Sequence, residues 1–270
     1  MSYKIIFSDI DGTLLTSEHT VLSSTVRAIK QLIAQNIIFV PVSARMPKAI
    51  APVIAPMEAA VPLISYNGAL ILDENQKVLY SQYIEFTYTQ DIIKKIKTSW
   101  PDAVINFYSD DEWYVENLHN DLVQQEIRIT GVKPRQKKFS ELLARKTAAH
   151  KLLCMGSAVD CKQMEQQLSE QYPALMIIRS SDNLLEIVDA SVSKAQAVQY
   201  FMADRKIAGK AAIAFGDNYN DMEMLKVVGT GIAMQNAPQP VKNNAKIVTD
   251  SNNEDGIYKA LKKLQLIDFC

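Results

Sequence analysis

The chain has 270 residues, 48% of them apolar, and its 29 Lys and Arg stand against 30 Asp and Glu for a formal net charge of −1. That balance offers no field for steering a polyanion and leaves out nucleic acid as a partner, while length and apolar share supply a core for one large domain or two ordinary ones. No apolar run approaches the roughly 20 residues a bilayer demands, and Asp9 interrupts the apolar N-terminal stretch before signal-peptide length, so a cytoplasmic protein without membrane partners is expected.

Apolar runs alternate with helix-period segments, the pattern of βα units feeding a parallel sheet. In chain order, a strand is expected over residues 4–8 and a helix over 22–35, with Val26, Ile29 and Ile33 on one face and Ser23 or Ser24 as cap. A strand over 37–42, a helix over 48–57 and a short strand over 63–65 follow. From about Tyr83 to Ile187 the texture changes. Strand-like pieces at 104–108, 113–115, 152–155 and 175–178 are mixed there with polar helices at 90–97 and 160–171, and both tryptophans fall in this stretch. The first pattern then resumes, with a helix at 194–205, a strand at 211–215, a helix at 221–227, a strand at 229–233 and a last helix at 255–266.

Cys154, Cys161 and Cys270 are odd in number and lack a C-x-x-C pair, which argues against a disulfide framework and against a zinc knuckle. His19, His119 and His150 are scattered and read as solvated or core-satisfied side chains.

Two acidic clusters stand out, each directly after an apolar strand: Asp9-Ile10-Asp11-Gly12-Thr13 and Gly216-Asp217-Asn218-Tyr219-Asn220-Asp221. Each alone has an ordinary explanation, the first as a strand followed by an Asp-Gly turn and the second as a capped helix start. Together they would set like charges against one another at one sheet edge unless a cation sits between them. Hard oxygen ligands without clustered Cys or His select Mg²⁺. A calcium loop fits poorly, since counting from Asp217 puts Met222 where the invariant glycine belongs, and Gly209-Lys210 has Asp204 in place of the first Walker A glycine. Ser43-Ala44-Arg45, closing a strand, either presents a hydroxyl, backbone N–H groups and a guanidinium to an anion or caps a helix with Arg45 on the surface. Lys194 opens a helix where a cation opposes the dipole, as a solvated lysine or as a holder of charge.

These four motifs, in this order, resemble the haloacid dehalogenase superfamily of phosphohydrolases, and within it the Cof-type subfamily with a late-inserted type IIB cap. Asn67-Gly68-Ala69 also resembles that subfamily. The chain departs from the subfamily pattern at Ala44 in place of glycine, at Ala195 after the lysine, and at Gln235 within Met234-Gln235-Asn236. The resemblance implies an α/β fold, a doubly wound parallel sheet with an inserted α+β cap domain, and hydrolysis of a small-molecule phosphate ester through an aspartyl-phosphate. It implies Asp9 as nucleophile, Asp11 as acid and base, and Lys194 as the cation balancing Asp9. Thr13, Ser43, Arg45, Asn67, Gly68 and Asn220 would bind phosphate, while Asp9, Asp11 (through its backbone carbonyl), Asp217 and Asp221 would hold Mg²⁺.

The 148 residues from 46 to 193 exceed what is needed to complete the sheet, since connecting loops average about 4–6 residues. A core over 1–82 and 188–270 with an inserted domain over 83–187 is therefore expected. A phosphomutase of the same fold and a non-catalytic Mg²⁺ and phosphate sensor are the alternatives, with a monomer or a homodimer as the state of assembly.

Overall fold

The computed structural model describes residues 3–268, so Cys270 lies outside the described residues. The chain divides into two compact units: one runs up to Tyr80 and resumes at Ser193, and the other is Ser81–Val192. The second unit is thus an insertion into the first.

The first unit is built on an eight-stranded sheet in the order Ile247–Val248, Thr230–Ala233, Ala212–Gly216, Ile5–Asp9, Ile38–Val42, Leu63–Ser65, Leu70–Leu72 and Val78–Ser81. The first six of these run parallel, and the pairing of Leu63–Ser65 with Leu70–Leu72 is antiparallel. Ile5, Ile6 and Phe7, like Ala212 to Phe215, are buried without alternation because helices cover both faces. Ile5, Phe7, Val40 and Ala214 pack against Val198, Phe201 and Leu225, from the helices Lys194–Asp204 and Met222–Val227. Ile6, Phe39 and Ile213 meet Ile29, Leu32, Ile257 and Leu261, from Ser23–Ala34 and Gly256–Lys263. This is a doubly wound α/β layer.

The second unit carries a six-stranded sheet in the order Leu175–Ser181, Leu184–Asp189, Lys151–Met155, Val104–Ser109, Glu112–Val115 and Arg135–Gln136. All neighbours are antiparallel except the last pair. Helices Phe86–Ser99 and Ala158–Gln171 lay Ile92, Ile96, Met164 and Leu168 on the face bearing Ile105, Phe107, Leu152 and Leu185. Tyr108 and Trp113 are buried and stack on each other with ring centroids 5.7 Å apart, and the Trp113 indole N–H donates to Asn106 at 3.0 Å.

Some expectations need correction. The first long helix is capped by Leu22 without a side-chain bond, because the Ser24 hydroxyl is turned to Asp255 and neither serine serves as cap. The next helix begins at Pro47, where proline's missing N–H costs nothing. The strands Leu70–Leu72 and Val78–Ser81 escape the sequence pattern because they are short and joined by a local turn, in which Asp73 accepts from the Asn75 and Lys77 N–H groups. The division falls at Tyr80/Ser81 and Val192/Ser193 in place of 82/83 and 187/188, since Leu184–Asp189 is an interior strand of the second sheet and Ser81 bonds to His150. Among the described residues, no helix is long and apolar enough to cross a membrane.

His150 is buried in the inserted unit. Its Nδ1 accepts the Asp110 backbone N–H at 2.9 Å, which assigns a neutral ring with its proton on Nε2, 2.9 Å from the Ser81 hydroxyl. Burial lowers this imidazole to about 4, against the opposing pull of Asp110. The unfolded chain takes up a proton near 6.5, so the stability conferred by neutral His150 is complete above that pH and is lost as pH falls toward 4. Between pH 6.5 and 5 the loss is expected to be roughly 2 kcal/mol. Urea unfolding of the inserted unit's signal at the two pH values measures it, and His150→Gln is expected to flatten the dependence.

Candidate active site

The parallel register of two neighbouring strands assembles the site. Ser8 pairs with Phe215, so Asp9 at the end of one strand lies beside Gly216 at the end of the other, with Asp217 next in sequence. A short turn over Tyr219–Asp221 then swings Asp221 back beneath Asp217. One Asp221 oxygen accepts from the backbone N–H groups of Asp217 and Asn218, each at 3.0 Å. Carboxylate oxygens of Asp9, Asp217 and Asp221 lie within 4.8 Å of one another.

Lys194 completes the arrangement. Its ammonium donates to Asp9 at 2.5 Å and to Asp221 at 2.7 Å, and the side chain is only 2% exposed. It is therefore no surface lysine, although it stands in the first turn of its helix. Burial alone would lower its pKa, but Asp221 and Asp9 outweigh that and hold it above its ordinary value, so it stays charged. Burial pushes the Asp9 carboxyl well up, with Lys194 pulling it back and Asp221 and Asp217 pushing it further. Asp217 is also raised by burial, against the lowering effect of its bond from the Thr13 hydroxyl.

Were all three carboxylates ionised, the one ammonium would leave two negative charges to be balanced. Hard oxygen donors in this number and a deficit of two charges suit a divalent ion such as Mg²⁺. The backbone is shaped around the cluster as well: Gly12 has φ +81°, and a Cβ there would run into the Asp217 carboxylate. Only glycine permits that approach.

With this geometry in view, the comparisons with known proteins agree. A family model described as haloacid dehalogenase-like hydrolase matches residues 6–261. The chain belongs to the haloacid dehalogenase-like hydrolases. Membership makes it an enzyme, a phosphohydrolase of this superfamily. A Haemophilus influenzae protein named "Putative phosphatase" is 38% identical over 97% of this chain and 98% of its own length. A haloacid dehalogenase-like hydrolase from Bacteroides thetaiotaomicron has the same fold, with TM-score 0.90 and 28% identity over 97% of this chain and all of that one. In fold alone, the hydrolase also resembles a subclass IIB sugar phosphatase, with TM-score 0.82 at 24% identity over 98% of this chain and 100% of that one.

The remaining residues singled out in this hydrolase take up distinct places. Asp11 stands outside the acidic triad: its side chain is half exposed and accepts two bonds from Arg45, Nε at 2.9 Å and Nη2 at 2.6 Å. The Thr13 hydroxyl, which the resemblance implies as a phosphate contact, donates to Asp217 at 2.6 Å. Ser43 is buried, its hydroxyl oxygen accepts the Arg45 N–H at 3.1 Å, and its carbonyl accepts the Asn67 N–H at 2.9 Å. Asn220 donates to the Asn67 side chain at 3.2 Å, joining the loops after two strands. Gly68, with φ +112°, lets its loop press on the start of the Lys194 helix, where a Cβ would come 2.6 Å from the Ser193 carbonyl.

One residue was not assigned from sequence. Asn236, after the strand Thr230–Ala233, reaches the Gly12 carbonyl and Asp217. Its place in Met234-Gln235-Asn236 was the available signal.

Replacing Lys194 with Met leaves Asp9 and Asp221 buried without a cation. In metal-free buffer the variant is expected to lose about 3–5 kcal/mol of unfolding free energy. Adding Asp9→Asn is expected to recover part of that loss, which urea denaturation of the four proteins of the cycle will measure.

Proposed function

We propose that the chain is a Mg²⁺-dependent phosphatase that hydrolyses small-molecule phosphomonoesters through an aspartyl-phosphate. The observation that carries this reading is the meeting of Asp9, Asp217 and Asp221, at or after the ends of two adjacent strands, with the buried Lys194 ammonium. Asp9, Asp217 and the backbone carbonyl of Asp11 would hold the ion, with Asp221 bracing them from behind. When bound, Mg²⁺ supplies charge neutralisation for an incoming phosphoryl group and for the acids around it.

The residues of the chain divide the chemistry. The Asp9 carboxylate attacks phosphorus, and the bond from phosphorus to the ester oxygen breaks. Asp11 gives a proton to the leaving alcohol, then takes one from the water that attacks the phosphoryl group and returns Asp9 to its carboxylate. Lys194 lies against Asp9 and carries positive charge toward the transferring oxygens, and the Ser43 hydroxyl, whose oxygen accepts from the Arg45 N–H, would donate to them. Arg45 occupies both Asp11 oxygens before substrate arrives. A phosphate dianion would compete for that guanidinium and so release Asp11 for proton transfer. Asn67, bonded to the Ser43 carbonyl and to Asn220, would with Gly68 and Asn220 line the phosphate's side of the site.

The inserted unit corresponds to the cap domain that the family resemblance implies. Presence of both Asp9 and Asp11 favours catalysis over a sensor, and water as acceptor is the simplest course for the second half-reaction.

Purified protein is expected to release phosphate from p-nitrophenyl phosphate with Mg²⁺ and to stop in EDTA. Asp9→Asn should reduce kcat by on the order of 10⁴-fold or more while leaving the circular dichroism spectrum unchanged. Activity close to wild type in that variant would remove Asp9 from the nucleophile's role. Product phosphate formed in ¹⁸O-labelled water should carry one labelled oxygen, whereas a mutase would deliver the group to a sugar acceptor.

A further inference from the structure

We propose that Asn236 is a positioning residue that holds Asp217 and the Gly12 turn in register for the divalent ion. The inference rests on the Mg²⁺ reading given above and names a residue that reading does not use.

The side chain has one acceptor and two donor hydrogens, and its surroundings match that inventory. Oδ1 accepts the Asn252 backbone N–H at 3.2 Å. Nδ2 donates to the Gly12 carbonyl at 2.8 Å and lies 3.4 Å from Asp217 Oδ2. A flipped amide would set an oxygen against two oxygens and an N–H₂ against an N–H, so the Asn252 contact fixes which end faces Asp217. The Asn252 side chain in turn donates to the Leu15 carbonyl at 2.8 Å. Asn236 therefore ties together the loop after Ile5–Asp9, the loop after Ala212–Gly216 and the segment following Ile247–Val248.

Asp217 needs such support more than its partners do. Asp9 and Asp221 are held by the Lys194 ammonium, and Asp221 also by two backbone N–H groups. Among the described residues, Asp217 has the Thr13 hydroxyl on one oxygen, the Asn236 amide near the other and the Asp9 carboxyl beside it, with no ammonium bonded to it. Two neutral donors orient the carboxylate without neutralising it, which leaves its charge for a cation. An aspartate at 236 would present oxygen to oxygen, so the amide is the group that serves.

Binding of Mn²⁺ in the absence of substrate tests this, read from the EPR signal of the free aqueous ion. Asn236→Ala is expected to weaken Mn²⁺ on the order of 10- to 100-fold, the usual effect of losing a group that orients a metal ligand. Unfolding in EDTA should match wild type, and the Mg²⁺ concentration for half-maximal phosphatase activity should rise by the same factor, with kcat restored at saturating Mg²⁺. Asn253→Ala removes the neighbouring clamp on Ser17, which touches no acid, and should leave Mn²⁺ affinity unchanged. Wild-type affinity in Asn236→Ala overturns the proposal, as does an equal loss in Asn253→Ala or a fall in metal-free stability. If wild type itself binds no Mn²⁺, the Mg²⁺ reading fails and takes this inference with it; if wild type binds and Asn236→Ala binds equally, the inference fails alone.

Discussion

A charged lysine with almost no solvent contact, lying between two buried aspartates, is the constraint around which the first unit is organised. Removing an ammonium and carboxylates from water is costly, and the mutual attraction offsets that cost only where geometry is close and the remaining valences are met. Here they are met by design of the backbone: the helix Lys194–Asp204 delivers the cation from its first residue, and the turn over Tyr219–Asp221 delivers Asp221 with its second oxygen already satisfied. The third acid, Asp217, is left over. A lysine that touches two of three carboxylates and carries a single positive charge is what turns a structural salt bridge into a site with unspent negative charge.

Parallel pairing explains why these groups meet at all. In a parallel sheet every strand ends on the same side, so residues far apart in sequence reach one rim as a matter of topology. Asp9, Ser43, Asn67 and Asp217 each follow or close a different strand of the same sheet. Their order across the rim is the strand order, with Asp9 and Asp217 on immediate neighbours and Ser43 on the other side of Asp9. The loops are then laced by polar side chains, Asn220 to Asn67 and Asn236 to Gly12. Rigid strands set the coarse placement, and amides set the fine placement.

What the sequence disclosed follows from this division. Strands ending in Asp are visible as an apolar run broken by charge, which is why Ile5–Asp9 and Ala212–Gly216 and the triad at their ends were legible within a residue or so. The insertion was legible from its length and altered texture, but its limits were not, because a strand such as Leu184–Asp189 is as apolar as those of the first unit and only its pairing partners assign it. The family resemblance implied Thr13 as a phosphate contact, whereas the bond from its hydroxyl to Asp217 is a tertiary fact that no residue type or position discloses. Asp11 is a similar case. Two residues from Asp9, it shares none of the triad's surroundings, since the Gly12 turn aims it at Arg45, which is 34 positions away. Asn236 lay hidden for another reason: an exposed asparagine after a strand is a common turn residue, and only the oxygens it reaches give it meaning.

The same reasoning bears on why the site sits on strands so thoroughly buried. Asp9 is pushed toward protonation by burial and by Asp221 and Asp217, and Asp217 by burial and by Asp221, so the folded state carries an electrostatic cost there whenever no cation is bound. Something else must hold the rim together. Ile5, Ile6 and Phe7 on one strand and Ala212, Ile213 and Ala214 on its neighbour are essentially inaccessible to water, and each contributes burial on both faces of the sheet. A fully buried large apolar side chain contributes about 1.5–3 kcal/mol, and that burial works against the electrostatic cost of the acids that follow. Ala212 and Ala214 share one buried cluster with Ala197, Val198 and Phe201 of the Lys194 helix. That helix delivers the ammonium to the end of the strands where the carboxylates stand. Stability and charge placement are consequently set by the same few side chains, and a loosened core would be expected to misplace the lysine before it unfolded the sheet.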